Sequence, residues 1–384
     1  MDFTNLKNII DKYVGIYYPG LDLCVHKKGE EIFRYQAGNH NTDTPVDPNA
    51  LYYIFSCTKP ATCTAALQFL EKGYYRLEDP VYDFIPEFKD VRVKKIKDNG
   101  IVTYVEPKSP ITIGQLFSMT SGINYDFNTP YIEEVRKSTN GRMPTMEVIK
   151  AVAKNPLEFH PGEHWRYGLN HDILGGLIEV WSGMKFGEYM KKNIFDACGM
   201  EHTGFKVTEE VKSRVAPLCK RTQLENEQTN EFNFVPAECE YMLGPDSEYE
   251  SGGAGIITCV DDYINLADAL ANGGICPKTG ERILTQRTID VMRTNRLNPQ
   301  QITDFGVKAK NGYGYGLGVR TLMTNIGGTL ANVGEFGWDG AAACYFLVDP
   351  AEEIALFVGQ SMRPSFNYKL PIMLVNALYS DMHR

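Results

Sequence analysis

Apolar positions near the amino end recur every three to four residues. Leu6, Ile9, Ile10, Tyr13 and Val14 predict an amphipathic helix over residues 3–16. Residues 21–38 predict two strands around a Lys28-Gly29 turn. An apolar run, Tyr53-Ile54-Phe55, leads into a second helical pattern with Ala61, Ala65, Ala66, Phe69 and Leu70 at helical spacing and Gly73 where the helix stops. Pro60 lacks an N–H and fits only a first turn, so this helix begins near Ser56. Residues 91–107 predict a hairpin turning at Asn99-Gly100. Helical patterns follow at 111–122, 146–155, 171–183 and 186–200, the last two separated by a Gly-Met turn. The segment 206–250 is polar and reads as irregular. Thr258, with Asp261 three residues on, predicts a capping box for the next helix. From about Tyr313 the pattern changes to successive strands with short turns, hence an antiparallel sheet, and residues 368–382 close the chain with a helix.

Strands at both ends with helices between them predict an α+β fold, an antiparallel sheet flanked by helices with an inserted helical domain. Residues 1–56 and 250–384 would form the α/β domain, residues 57–249 the mostly helical one, with an active site in the cleft between them. The length of 384 residues allows a large core, and 43% hydrophobic and 23% charged residues are those of an ordinary globular protein. The net charge of −9, with no basic block or stripe, argues against a nucleic-acid partner. The amino end has no basic segment followed by an apolar one, and no run of roughly eighteen apolar residues occurs, so neither a secretion signal nor a membrane span is expected. Nine scattered cysteines without C-x-x-C read as reduced, mostly buried thiols of a cytoplasmic protein.

Candidate chemistry centres on Ser56. At a helix start its hydroxyl lies near backbone donors and the positive end of the helix dipole, which favour an alkoxide or a nearby oxyanion. Lys59, one turn on, shares its face, so the pair is a nucleophile with a built-in base. Cys57 should face away, because neighbours on a helix point about 100° apart. A second S-x-x-K, Ser182 to Lys185, reads as a loop because Gly183 caps the preceding helix. Other nucleophile devices fail. Gly359-Gln360-Ser361-Met362-Arg363 lacks the second glycine of a G-x-S-x-G elbow. None of the seven histidines stands in a triad context. His160 and His164 have a zinc-like spacing, but Pro161-Gly162 breaks any helix, so no metal is expected. The Gly-rich stretches 251–255 and 312–318 lack the context of a phosphate loop and read as turns and close backbone contacts. The base is then a lysine or a tyrosine, which tune each other: a Lys59 cation lowers a neighbouring tyrosine, and burial lowers Lys59. Tyr167, just before a helix that Asn170 could cap, is the tyrosine with the most suggestive setting.

The run around Ser56, Thr58 and Lys59 resembles the S-x-x-K motif of serine β-lactamases and penicillin-binding proteins. Residues 111–127 are similar to a further segment of that group, and the stretch from His160 to Glu179 to the one carrying its second motif, which starts at Tyr167. Trp338-Asp339-Gly340 is similar to the third motif, W-x-G, of family VIII carboxylesterases. The resemblance runs in order from about residue 20 to 362 and implies a β-lactamase/transpeptidase-like fold. Two departures stand out. Leu169 occupies the asparagine position of Y-x-N, with Asn170 one place too late. Trp338-Asp339-Gly340 replaces K-T-G, whose lysine attracts a β-lactam carboxylate, and Asp339 would repel one. A literal Lys278-Thr279-Gly280 reads as a surface turn, since the functional tripeptide should open a strand.

The resemblance therefore implies a serine hydrolase acting on small neutral esters. Ser56 would be the nucleophile, and Lys59 and Tyr167 the general base. The Ser56 and Ala341 N–H groups would form the oxyanion hole. Trp338, Gly340 and Tyr125 would shape the substrate site, and Asp339 would be a solvated turn residue or a substrate contact. No cofactor or metal is expected. The competing functions are β-lactamase, D-amino-acid peptidase or amidase, acyltransferase, and an inactive binding homologue.

Overall fold

The computed structural model describes residues 1–41, 43–223, 232–237, 243–244, 246–306, 311–363 and 369–384. Seven strands form one antiparallel sheet. Their spatial order is Glu30–Gly38, Gly20–Lys27, Ile354–Gly359, Tyr345–Asp349, Phe336–Asp339, Arg320–Leu322 and Tyr313–Tyr315. The first two come from the amino end of the chain and the other five from its last quarter. Period-two alternation divides the core between the two faces. Leu23, Val25, Leu356 and Val358 face the terminal helices Thr4–Tyr13 and Leu370–Met382. Cys24, Ala355 and Phe357 face the helix Val260–Ala271.

The segment between the two groups of strands is mostly helical. Its centre is the helix Thr58–Glu71, buried continuously from Thr58 to Phe69 and packed on the helix Asn170–Ser182. The helix is buried on all sides, with polar side chains such as Thr62, Thr64 and Gln68 bonded to carbonyls inside the core, and it holds the residues around Ser56 fixed. The predicted hairpins form at Lys28-Gly29 and, with strands Val93–Ile96 and Val102–Val105, at Asn99-Gly100. Lys28 adopts φ +58° and Gly29 φ +77°, the left-handed pair that a two-residue hairpin turn requires.

Three expectations fail locally. The segment expected to be irregular holds a hairpin, Cys219–Gln223 with Phe232–Pro236, although part of that segment lies outside the described residues. The capping box at Thr258 does not form. Cys259 takes the N-cap position without a side-chain bond, while the buried Thr258 hydroxyl pairs with that of Thr203 at 2.6 Å. The helices Pro130–Ser138, Gln286–Met292 and Pro299–Phe305 have no counterpart in the pattern reading, being short and set among polar residues. Eight of the cysteines are described; all are free thiols and buried, and Cys239 lies outside the described residues. Among the described residues no helix is long and apolar enough to cross a membrane.

Candidate active site

Ser56 lies in a single 3-10 turn, Phe55–Cys57, that feeds the Thr58–Glu71 helix. The turn is pinned on both sides. The Ile54 N–H donates to the Ile256 carbonyl at 3.2 Å, and the Ile256 N–H donates to the Thr58 hydroxyl at 3.0 Å. The Tyr263 hydroxyl donates to the Cys57 carbonyl. Phe55 has φ +44°, a left-handed backbone that a bulky residue keeps only where its surroundings over-determine it. This strained turn leaves Ser56 partly exposed while Cys57, Thr58 and Lys59 are buried. Cys57 points away from the lysine, its thiol directed at the Trp338 carbonyl at 3.6 Å and held protonated by burial.

The Lys59 ammonium donates to Ser56 Oγ at 3.1 Å and to the Gly253 carbonyl at 2.6 Å. The side chain is wholly buried, and this desolvation holds its pKa below the ordinary lysine value. The Gly253 carbonyl is placed by Asp172. That buried carboxylate accepts from the Tyr249 hydroxyl at 2.7 Å, the Ser251 hydroxyl at 2.6 Å and, at 3.4 Å, the Gly253 N–H. Pattern reading missed Asp172, Tyr249 and Ser251, although the glycines at 252 and 253 correctly signalled a close backbone contact. An acidic residue in the first turn of the Asn170–Ser182 helix was the available signal.

Tyr167 completes the cluster. Its ring covers the Lys59 ammonium, 4.6 Å from ring centroid to nitrogen. It stacks on Tyr125 at 5.7 Å and on Trp338 at 5.9 Å. The Trp338 indole N–H donates to the Tyr167 hydroxyl at 3.2 Å, and that hydroxyl also interacts with Ser56. Burial raises the phenol above its ordinary pKa, and the Ser56 and Trp338 contacts only partly offset this. The expectation that Lys59 would draw the phenol down is thus overturned by desolvation. Gly168 lets the Tyr167 loop lie flat on residues 123–124, since a Cβ there would stand 2.0 Å from the Ile123 carbonyl.

Trp338-Asp339-Gly340 closes the strand Phe336–Asp339 instead of opening one. Trp338 is only 3% exposed, so it serves mainly as a wall behind Tyr167. A Cβ on Gly340 would lie 2.4 Å from the Ile54 carbonyl, so glycine at this position lets the turn touch the backbone that presents Ser56. The Ala341 N–H that follows has no backbone acceptor among the described residues, and the Ser56 N–H precedes the first hydrogen bond of its own turn, Cys57 to Ile54. Asp339 ends the strand with its side chain partly exposed, and Arg320, paired with the buried Glu335 at 3.1 Å, also reaches it at 3.6 Å and offsets part of its charge. Tyr125 is 40% exposed and forms the outer face of the ring stack.

The remaining candidates lie elsewhere. Asn170 does not cap its helix: it is already the first helical residue, and its buried side chain bonds Ser121 and Met119. His160 accepts from the Lys108 N–H and His164 pairs with Asp304, so the two do not form one ligand set. Lys278 and Thr279 bond the carbonyls of Gly199 and Ala197 in an exposed turn. Ser182 ends its helix and accepts from the Met184 N–H.

A family model described as Beta-lactamase matches residues 6–365. The chain is 25% identical over 387 residues to the esterase EstB of Burkholderia gladioli, covering 94% of this chain and 91% of that protein. It is 26% identical over 376 residues to the acyltransferase calJ of Penicillium decumbens, covering 94% and 88%. Among solved structures, EstCE1, a hydrolase with promiscuous acyltransferase activity, superposes with a TM-score of 0.78 at 21% identity, covering 98% of each chain, a likeness of fold.

Proposed function

The chain belongs to the beta-lactamase family of serine hydrolases, and we propose that it is an esterase, cleaving small neutral carboxylic esters through an acyl-enzyme on Ser56. The observation that carries this reading is the buried Lys59 amine on Ser56 Oγ, with the Tyr167 phenol over both. The opposite pKa shifts divide the proton work. A depressed amine is available as a base, and a raised phenol is available as an acid. Ser56 Oγ attacks the ester carbonyl and gives its proton to Lys59. The Ser56 and Ala341 N–H groups hold the oxyanion. The carbon–oxygen bond to the alcohol then breaks, Tyr167 donates its proton to the departing alkoxide, and Lys59 reprotonates Tyr167. Water repeats the sequence in the second half and releases the acid.

The substrate class rests on Leu169 and Trp338, which stand where a β-lactamase has an asparagine and a lysine. With Asp339 partly offset by Arg320, the missing lysine attraction is the stronger reason to favour neutral esters. A fluorophosphonate should label Ser56 in the native chain and fail on Ser56→Ala, and p-nitrophenyl acetate and butyrate should turn over far faster than nitrocefin. Labelling elsewhere, or nitrocefin as the best substrate, sinks the reading. The 26% identity to calJ favours a second reading, acyl transfer to an alcohol. An added alcohol would then yield ester product in excess water.

A further inference from the structure

The proposed chemistry leaves unused a polar cluster between the sheet and the helix Val260–Ala271. On the strand Gly20–Lys27, Cys24 and His26 are two residues apart and face the same side. The neighbouring strand carries a bulge: Val25 pairs with Phe33 and His26 with Glu31, so Ile32 is the extra residue. Ile32 joins Phe33 in the apolar layer on the opposite face. Without the bulge Ile32 would oppose His26, and Glu31 would turn away. With it, Glu31 lies opposite His26 on the side of Cys24. The Cys24 sulfur, a His26 ring nitrogen and a Glu31 carboxylate oxygen all lie within 4.8 Å of one another. The Cys24 sulfur is 3.8 Å from Glu31 Oε2. A tetrahedral metal holding sulfur at about 2.3 Å and oxygen at about 2.1 Å sets those two ligands about 3.6 Å apart.

We propose that Cys24, His26 and Glu31 form a three-ligand site for a zinc-type divalent cation, with water in the fourth position and Asp268 positioning the imidazole from behind. Thiolate, imidazole and carboxylate are the donor types zinc takes. Asp268 Oδ2 lies 2.6 Å from His26 Nδ1, which fixes the tautomer and leaves the other ring nitrogen for a metal. A second, independent observation is an unpartnered oxygen on the buried Asp268. The Asp268 side chain is only 4% exposed, and its other oxygen has no hydrogen-bond partner among the described residues. Arg34, opposite Cys24 on the neighbouring strand, pairs with Asp22 and Asp261 and also lies against the Cys24 sulfur. The buried Asp268 carboxylate thus keeps one oxygen unmatched beside the His26 imidazole, while Glu31 is exposed and open to a metal. Only a thiolate ligates the ion, so binding must displace the Cys24 proton and release it to solvent. The bound ion would tie the sheet to the helix whose Tyr263 holds the Cys57 carbonyl. It would stabilise the fold without entering the reaction.

The test uses the full chain stripped with a chelator and titrated with Co²⁺ and then Zn²⁺. One equivalent of Co²⁺ should give tetrahedral visible bands and a near-ultraviolet thiolate charge-transfer band. Cys24→Ser should remove that band. Glu31→Gln should weaken Zn²⁺ binding at least about tenfold, and Asp268→Asn roughly 10–100-fold. Zn²⁺ should raise the melting temperature of the parent chain, with one proton released per metal, and leave ester hydrolysis unchanged. His202, Cys259 and Asp262 form the other such cluster among the described residues, so Cys259→Ser should keep the band. A simple His26–Asp268 ion pair predicts no thiolate band at one equivalent. That result, or a band kept by Cys24→Ser or lost in Cys259→Ser, overturns the proposal. Should Cys24→Ser fail to fold, Glu31→Gln decides, because Glu31 is exposed: unchanged Zn²⁺ affinity in that variant overturns it equally.

Discussion

Replacing Gly340 by alanine tests whether the Ala341 N–H is the second oxyanion donor. The new Cβ would stand 2.4 Å from the Ile54 carbonyl oxygen and 3.2 Å from the Cys344 Cβ. An ordinary contact needs about 3.5 Å, so one side must move by roughly 1 Å. The Ile54 carbonyl cannot easily yield, because it accepts the Cys57 N–H of the turn that presents Ser56, at 3.1 Å. The displacement therefore falls on the Gly340–Ala341 turn. A shift of about 1 Å in a catalytic group costs roughly 10²-fold, and losing an oxyanion donor roughly 10²–10³-fold, or about 2.7–4 kcal/mol of barrier. Overpacking also costs about 1–3 kcal/mol of stability, so the melting temperature must be followed alongside. With p-nitrophenyl butyrate, kcat should fall roughly 10²–10³-fold with KM little changed. Phosphonylation of Ser56 should slow too, since charge builds on the phosphoryl oxygen in the same hole as that adduct forms. A folded variant whose kcat stays within about threefold of the parent refutes the placement of Ala341.

Four further outcomes follow from the same geometry. The rate of ester hydrolysis should rise with pH through the Lys59 pKa, at a value below the ordinary lysine pKa, and fall again only above the ordinary tyrosine value, because Lys59 must be neutral and Tyr167 protonated; Lys59→Arg, permanently charged, should lose roughly 10²–10⁴ in kcat, and an acid limb above the ordinary lysine value contradicts the division of roles. Trp338→Phe removes one neutral hydrogen bond to Tyr167, worth about 0.5–1.5 kcal/mol, so kcat/KM should drop roughly 2- to 12-fold and the alkaline limb should move up; a downward move contradicts the assignment. The Asp172 charge raises the Lys59 pKa, so Asp172→Asn should shift the acid limb to lower pH, as read from the full pH–rate profile. Iodoacetamide should leave Cys57 unmodified in the native chain, since burial keeps that thiol protonated, and rapid native-state alkylation at Cys57, seen by peptide mapping, contradicts this.

The parts of the site that rest on local chain geometry were legible in the sequence. A proline two positions into the Thr58–Glu71 helix locates its start, and the i, i+3 spacing then brings Lys59 back to Ser56, where the structure has it at 3.1 Å. The alternating strands near both ends and the asparagine–glycine and lysine–glycine turns were equally local. Capping by Thr258 and Asn170 failed because a side chain that can cap is also a side chain that can bond elsewhere, and tertiary partners took both.

What spacing could not show is how distant charges compensate one another. Asp339 reads as a bare acid at the mouth of a pocket until Arg320, nineteen residues earlier, arrives from the adjacent strand. Burial shifts Lys59 toward neutrality, as the sequence predicts, but the same burial reverses the direction expected for Tyr167. The Gly253 carbonyl that steadies Lys59 is 194 residues away and is held by a carboxylate, Asp172, from yet another segment. Each of these contacts depends on desolvation, which is a property of the assembled core and has no signature at any single position. The proposed nucleophile and its lysine could thus be placed together from the sequence, whereas the desolvation that acts on Lys59 and Tyr167 emerges only once the core closes around them.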